Sequence, residues 1–399
     1  MPRWQRDSCR GESNCSAMAT PDPDRRAGSR RAGDDSTGGP PPSERDLRDR
    51  WASRFAQQAE ACGELGSPLW HRLLILIAHD VRAGGPSWEV MRHGASLRFG
   101  QAAPLRLVGA SHRLALSGTA PGWAELLPSC GGSPPVEDAG LLAGWHDLVA
   151  GHGDELVAGL SREVQTNEVA RSAGLSLALA ETRFDHARLV EIGCSGGLNL
   201  RLERFEVDLA GVVLGDAGSP VHVRPKLTGD LGSLRHEGLS LPRVTGRVGV
   251  DPHPVDVTED EGRLTLLSFL WPDQLERIER TRAAIQIAQD LPAELLTAAP
   301  EGDGDTADVL SSVIGRGGTT VVFHSIVWQY IPTDVRWRIT EVLDSAGSAA
   351  TEEEALAWIR YEPDPWDRRR AAVWLRRWPD GGDRLVARVE YNGRWRAPS

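Results

Sequence analysis

The chain has almost no lysine: Lys226 is the only one, and arginine supplies nearly all of the formal positive charge. Asp and Glu total 56 against 45 Lys and Arg, which gives a net charge of −11 at pH 7. A nucleic-acid-binding face needs clustered cationic side chains to meet phosphates, so this balance argues against such a face. We therefore expect a small-molecule substrate and no nucleic-acid partner.

Cysteine is also scarce and scattered. The chain carries five cysteines and no CxxC pair, so neither a zinc site nor a disulfide framework is predicted. The longest apolar runs, 73–78 and 319–323, are far shorter than the roughly 18–20 residues that span a bilayer. The first residues lack the apolar stretch of a secretory signal. These absences predict a cytoplasmic protein with no metal and no membrane contact.

Composition divides the chain into three parts. Residues 1–45 are rich in Gly, Pro, Ser, Arg and Asp and almost lack aliphatic side chains, which predicts a disordered tail, with Met18 as an alternative start. Residues 46–160 are predicted to be a mainly helical lid or acceptor region, because apolar residues recur every four positions over 46–60. Residues 161–399 alternate strand and helix patterns and are predicted to form a Rossmann-like domain.

The strand-like runs of the third part are short and apolar. They cover 188–192, 247–251, 319–324, 356–361, 371–377 and 385–391. Helical patterns cover 156–181, 198–204, 264–289, 307–314 and 334–344, and 205–216 is hairpin-like. The turn 379–382 should join the last two strands as an antiparallel hairpin. Strand–helix alternation that ends in such a hairpin predicts an α/β layered sheet.

The informative motif is a glycine-rich turn, EIGCSGG, that runs from Glu191 to Gly197 after the first strand. A glycine directly after a strand lets the backbone turn sharply and approach a ligand. Ser195 stands where the dinucleotide fingerprint GxGxxG requires its second glycine. The spacing of Glu191, Gly193, Ser195 and Gly197 instead fits the acid-x-Gly-x-x-x-Gly pattern of methyltransferases, and its place between a strand and a helix supports it.

The same residues also spell GxSxG, the nucleophile elbow of α/β-hydrolases, with Ser195 as nucleophile. Asp251 or Asp303, and then His324, would supply the acid and the base. Against this interpretation, the region upstream is helical rather than a series of strands, and no HGGG-type oxyanion segment precedes the turn. The serine hydrolase therefore stays an alternative, beside a non-catalytic nucleotide-binding or regulatory module.

Later acids are candidates for holding a nucleoside. Asp251 ends a strand and could accept both ribose hydroxyls, since a carboxylate offers two acceptor oxygens, or it could cap the Pro-rich turn that follows. Asp208 competes for the ribose from a position nearer to the glycine turn. Asp303 precedes a helical pattern and could accept the adenine amino group, or it could lie in an exposed acidic loop.

His324, Asn167 and Arg171 complete the candidate site. His324 ends the most strand-like segment, at the edge where ligands of open α/β sheets bind, and it could be a general base or a structural histidine. Trp328 and Tyr330, shortly after it, could stack on an acceptor or belong to the core. Asn167 and Arg171 are four residues apart on one predicted helix face, where Arg171 could grip a ligand carboxylate or only be solvated.

Five segments stand in an order typical of one family. They are 164–172 (VQTNEVARS), 191–200 (EIGCSGGLNL), 249–256 (GVDPHPVD), 271–272 (WP) and 322–330 (VFHSIVWQY). Together they resemble a bacterial, largely actinobacterial family of uncharacterised proteins, the domain of unknown function 2332. The resemblance covers about residues 47–395. Because the family has no established activity, this resemblance indicates relatedness but no function.

From about residue 175 to 395 the chain also resembles class I S-adenosylmethionine-dependent methyltransferases. The glycine turn, the acids at 251 and 303 and the segment 324–330 carry this resemblance. It implies a Rossmann-like sheet that ends in an antiparallel hairpin, with S-adenosylmethionine as the cofactor. Three features depart from the pattern: Ser195 replaces a common glycine, an insertion displaces the second strand, and no Asn/Asp-Pro-Pro-Tyr-type segment signals amino-methylation.

The methyltransferase resemblance also implies a role for each candidate residue. His324 would deprotonate a small-molecule acceptor. The cofactor would be held at its ribose by Asp251, at its adenine by Asp303 and at its amino-acid end by Asn167 or Arg171. The turn that carries it would be shaped by Glu191, Gly193, Ser195 and Gly197.

Overall fold

The structure, a computed structural model, describes residues 42–94, 102–225, 238–299, 301–314, 316–367, 370–391 and 395–396. Of the tail predicted to be disordered, residues 1–41, with Met18, lie outside the described residues. From Ser43 onward the chain is one compact unit. Among the described helices, none is both long enough and apolar enough to cross a membrane.

The first part of the unit is helical. Its helices are α1 (Glu44–Glu64), α2 (Pro68–Ala83), α3 (Pro86–Met91), α4 (Ala103–Leu116), α5 (Pro121–Ala124) and α6 (Asp138–Gly159). α1 begins two residues before the predicted start because Ser43 and Asp46 form a reciprocal capping box around its first turn. Of the apolar residues predicted to recur every four positions, Trp51, Phe55 and Ala59 are buried, in a core that α1 shares with the other helices.

The second part contains the strands and five further helices. The strands are β1 (His186–Ile192), β2 (Glu206–Leu209), β3 (Val212–Gly215), β4 (His222–Val223), β5 (Arg243–Asp251), β6 (Glu294–Thr297), β7 (Thr320–Ser325), β8 (Leu356–Pro363), β9 (Ala371–Trp378), β10 (Asp383–Val389) and β11 (Trp395–Arg396). The helices are α7 (Ser172–Ala180), α8 (Asp260–Ser268), α9 (Leu275–Asp290), α10 (Thr306–Ile314) and α11 (Thr333–Ser348).

Eight of these strands form one sheet, in the order β6-β5-β1-β7-β8-β9-β10-β11. The first five are parallel, and the last three continue as antiparallel neighbours. The predicted α/β sheet and its C-terminal hairpin are therefore confirmed. In chain order the five parallel strands read 3-2-1-4-5, which is the order of a Rossmann-like doubly wound sheet. That order reverses between β1 and β7, where such sheets open a crevice for ligands.

Helices cover both faces of this sheet. α10 and α11 bury their apolar residues against one face, where Val190 of β1 and Val322 of β7 point. α7 and α9 cover the opposite face, where Leu189 and Phe323 point. β2, β3 and β4 form a separate small sheet between β1 and β5 along the chain, which is the predicted insertion with its hairpin.

Several predicted elements have other bounds or another form. The helix predicted over 156–181 is interrupted, because α6 ends at Gly159 and a 3-10 turn, Val169–Arg171, precedes α7. Asn167 and Arg171 therefore do not share a helix face. The helix predicted over 264–289 is two helices, α8 and α9, with Trp271 and Pro272 between them, since proline lacks the N–H that a helix interior needs. The segment Leu198–Arg204 is a 3-10 helix, and β6 was not predicted.

Candidate functional site

The glycine turn lies at the carboxyl end of β1, where the strand order reverses. Ile192 pairs with Val250 on one side and with His324 on the other, so β1, β5 and β7 end side by side at one edge of the sheet. The backbone φ is positive at Gly193 (69°), Ser195 (51°) and Gly197 (64°). Positive φ at every second residue gathers backbone N–H groups into a concave nest that suits an anion.

The carboxylate of Asp251 sits against this nest. Its Oδ2 accepts the N–H of Ser195 at 2.9 Å, and its Oδ1 accepts the N–H of His253 at 2.8 Å. The acid that was predicted to hold a ribose therefore also braces the glycine turn and caps the turn that follows β5. Each oxygen keeps one further lone pair.

The chain before α7 crosses the same turn. Asn167 Oδ1 accepts the N–H of Leu198 at 2.8 Å, at the start of the 3-10 helix that follows the glycines. Asn199 reaches back and donates from Nδ2 to the carbonyl of Glu168 at 3.4 Å. The predicted residue Asn167 is thus beside the glycine turn, as a backbone cap.

Side chains cover the glycine turn. A Cβ at Gly193 would overlap Cγ2 of Val327, and a Cβ at Gly196 would lie 2.7 Å from Leu266 and 3.1 Å from Val257. Neither of the two described cavities is lined by residues 193–197. The turn has the predicted place and shape, and a ligand can reach it only after this cover has moved.

Glu191 lies inside the protein, one strand position before the turn, and is almost fully buried. Burial raises the pKa of this carboxyl well above its usual range, although the guanidinium of Arg201 acts in the opposite direction. Burial likewise lowers the pKa of Arg201 to about 10. The protonated form of Glu191 is therefore favoured at the end of β1 relative to an exposed carboxyl group.

His324 forms a buried dyad that the sequence did not reveal. Its Nδ1 lies 2.7 Å from Oε1 of Glu362, and this oxygen also accepts the N–H groups of Val327 at 3.1 Å and Trp328 at 3.2 Å. Since a carboxylate only accepts hydrogen bonds, this contact places a proton on Nδ1 of His324. Within the described residues Nε2 has no hydrogen-bond partner, and the Trp328 ring stacks on the imidazole at 4.8 Å.

Arg171 lines a cavity of about 730 Å³. Its Nη1 donates to the carbonyl of Ser325 at 3.0 Å, just after His324, and its Nε donates to the carbonyl of Tyr391 at 3.2 Å. The helical region contributes Trp70 and Leu105 to the lining of this cavity. We call this space the interlayer cavity, because it lies between the helical region and the end of the sheet.

The remaining predicted acids lie elsewhere. Asp303 is exposed in the loop between β6 and α10. This loop starts next to Asp251, because the N–H of Ala298 donates a hydrogen bond to the backbone carbonyl of Asp251. Asp305, two residues after Asp303, is the buried acid of that loop and caps α10. Asp208 belongs to the small sheet, where its Oδ1 accepts a turn N–H at 2.7 Å.

Ser195 does not form the predicted hydrolase triad with His324. In the part of the chain that the structure describes, its Oγ is buried without a hydrogen-bond partner. His324 uses Glu362 as its acid, and not Asp251 or Asp303. The positive φ of Ser195 is nevertheless shared with a nucleophile elbow, whose serine sits on a strained strand-to-helix turn.

Comparison with known proteins identifies a family but no characterised relative. A family model described as an uncharacterised protein conserved in bacteria (DUF2332) matches residues 52–397. No curated protein and no solved structure gives a significant match. The match covers nearly the whole chain and includes the glycine turn, the His324–Glu362 dyad and the interlayer cavity. The chain therefore belongs to the DUF2332 family of bacterial proteins.

Proposed function

We propose that the protein is an S-adenosylmethionine-dependent methyltransferase of the class I type that acts on a small molecule. One observation carries the proposal: a glycine turn with alternating positive φ ends the central parallel strand at the reversal of a 3-2-1-4-5 sheet. In doubly wound sheets the ligand lies outside the carboxyl ends of the strands at that point.

The residues at this edge fit such a cofactor. Within the described residues, the N–H groups of Gly193, Cys194, Ser195 and Gly197 are already hydrogen-bonded, so the N–H of Gly196 would be the donor of the turn to the cofactor carboxylate. The spare lone pairs of Asp251 suit the ribose hydroxyls. Asp303, on the loop beside β5, would meet the adenine amino group, while Asn167 or Arg171 would meet the amino-acid end. Glu191, whose pKa burial raises, would shape the turn from inside the protein. When bound, the cofactor supplies a methyl group on a sulfonium centre.

Two of the proposed site residues are covered by consecutive side chains. Val327 lies over Gly193, and Trp328 lies over His324. Both belong to the segment 326–331, which starts at Ile326 with a positive φ of 52°, an unfavourable value for a β-branched residue. One displacement of this segment would open the turn and expose the imidazole together.

The chain would then supply positioning and proton transfer. His324 Nε2 would take the proton of the acceptor, and Glu362 would stabilise the imidazolium through Nδ1. The interlayer cavity, which Arg171 links to the end of β7, has room for the acceptor. Holding the reacting groups in line then provides much of the rate enhancement.

Binding of S-adenosylmethionine tests the proposal directly. Calorimetry on the full chain should show saturable one-to-one binding that the variant Gly193→Arg loses, because a side chain there meets Val327 and fills the turn. The control Gly122→Arg places the same charge at an exposed glycine with no atom within 4 Å of its Cβ position, and it should bind normally. The proposal would be overturned if the wild-type protein at millimolar cofactor gave neither a heat of binding in calorimetry nor a shift of its melting temperature. Binding without methyl transfer to any acceptor would favour the non-catalytic module, and labelling of Ser195 by a fluorophosphonate would favour the hydrolase.

A further inference from the structure

We propose that the interlayer cavity binds a small molecule with a carboxylate, or a similar planar oxyanion, on a flat apolar body. Its identification as the methyl acceptor rests on the proposed function, whereas the binding itself does not. The volume of about 730 Å³ is that of a pocket for a drug-sized molecule. The chemistry of two groups of lining side chains indicates the class of ligand.

One wall is cationic. Arg171, Arg277 and Arg280 surround the single carboxylate of Glu168, which is almost fully buried. Arg277 Nε lies 2.6 Å from Glu168 Oε2, and Arg280 Nη2 lies 3.6 Å from Oε1. Burial alone would raise the pKa of Glu168, but Arg277, Arg280, the N–H of Ala170 and Arg171 together lower it below its usual value, so the acid is ionised.

Glu168 cannot neutralise this wall alone. Three guanidinium groups face one carboxylate, and the hydrogen bonds of Arg171 go to neutral carbonyls. Two further charged groups of the lining have partners outside this wall: Arg224 pairs with Glu206, and Asp273 accepts hydrogen bonds from the neutral donors Ser67 Oγ and Leu69 N–H. Glu276 is exposed to solvent. Asp273 and Glu276 offset part of the positive charge of the lining, but within the described residues neither forms an ion pair with Arg171 or Arg280. These two guanidinium groups can therefore pair with an anion in the cavity.

Arg280 is the group best placed to receive that anion. Within the described residues, its only ion pair is the one with Glu168, and 3.6 Å is too long for a hydrogen bond. Its side chain is 21% exposed, and its position on the cavity lining leaves guanidinium donors for a ligand. A guanidinium fork matches two carboxylate oxygens with two parallel hydrogen bonds.

The second wall, formed by other lining residues, is apolar and aromatic. Trp70, Val108 and Phe269 are buried there, and Leu105 and Trp271 complete it. The guanidinium of Arg277 lies over the Trp271 ring, 5.8 Å from its centre, so the two walls meet at this pair. A flat hydrocarbon body would bury its surface against these side chains while its charged end reached Arg280.

The test compares two probes of equal shape, naphthalene-2-carboxylate and naphthalene-2-carboxamide, by calorimetry on the full chain without cofactor. The carboxylate should bind at least tenfold more tightly than the amide. Arg280→Gln should remove this preference and leave amide binding nearly unchanged. Arg282→Gln is the matched control, because Arg282 lies on the same helix α9, is largely exposed and pairs with Glu279. It should keep the preference.

A filling variant locates the binding. Leu105→Trp places an indole in the interlayer cavity and should abolish the binding of both probes, with the fold verified by circular dichroism. Equal affinities of the two probes, a preference that survives in Arg280→Gln, or no saturable binding of either probe at millimolar concentration would each overturn the inference. Probe binding in a protein that does not bind S-adenosylmethionine would refute the proposed function and leave the anion site standing.

Discussion

The cover over the glycine turn makes a specific prediction for the variant Gly193→Ala. Gly193 has a φ of 69°, in the left-handed region where an alanine is strained. An added Cβ would also overlap Cγ2 of Val327 and lie 2.9 Å from its Cβ. The substitution therefore combines a backbone cost with a packing cost, and the two can be measured separately.

The backbone part should amount to roughly 1–2 kcal/mol, the cost of a left-handed L-residue. Overpacking against Val327 should add roughly 1–3 kcal/mol. The matched control is Gly118→Ala, because Gly118 has a φ of 74° and no atom within 4 Å of its Cβ position. That control should lose only the backbone part, about 1–2 kcal/mol.

Guanidinium unfolding of both variants, with Val327→Ala alone and in combination with Gly193→Ala, measures these terms. The double variant lacks the Val327 methyl group that overlaps the new Cβ, but Cβ of residue 327 still lies 2.9 Å from it. The two substitutions should therefore couple favourably by about 1 kcal/mol, which removes only part of the packing cost. If Gly193→Ala costs no more than Gly118→Ala and shows no coupling to residue 327, Val327 does not cover the turn and the account of the closed site is wrong.

Two buried titratable groups should shape the dependence of stability on pH. The pKa of Glu191 is raised by burial, so the folded state holds its proton above about pH 4.5, where the unfolded state loses it, and stability falls as pH rises from there. Glu191→Gln should remove this slope in urea unfolding measured from pH 4 to 8, and an unchanged slope would contradict the assignment. Burial lowers the pKa of His112 to about 4. Between pH 6.5 and 4 the unfolded state therefore binds a proton that the folded state does not bind, and the free energy of unfolding should fall by about 3 kcal/mol. His112→Gln should flatten that range, and equal acid sensitivity of the variant and the wild type would refute the explanation.

Local patterns were sufficient wherever the fold depends on near neighbours. The stripe of α1, with Trp51 and Phe55 four residues apart, predicted a buried helix face, and the apolar run of β7 predicted a buried strand. The glycine turn was predicted in place and form because few residues besides glycine tolerate a positive φ. The edge strand β6 was missed because its four residues are half-exposed and show no alternation.

Long-range contacts explain the parts of the prediction that were wrong. The sequence around residue 165 resembles a helix, yet Asn167 caps the backbone at Leu198 and Glu168 is drawn to Arg277 and Arg280. Such tertiary bonds override weak helix propensity. The break at Pro272 was readable, because a proline inside a predicted helix ends or kinks it.

The partner of His324 could not be found from the sequence. Glu362 is 38 residues away and reaches the imidazole because β8 lies parallel beside β7 in a register that pairs His324 with Arg360. The wall of Arg277 and Arg280 likewise depends on how α9 meets the chain before α7. Neither arrangement leaves a signal in local spacing.

The closed turn bears on how any cofactor would bind. Val327 and Trp328 are held by one acceptor, Oε1 of Glu362, which is also the partner of His324. Displacing the segment 326–331 would break the two backbone hydrogen bonds to that carboxylate. It would also relieve the backbone strain of the positive φ at Ile326. Cofactor binding and exposure of the imidazole would then occur together. The apparent affinity of a ligand that binds only the open form would be reduced by the small fraction of molecules in that form.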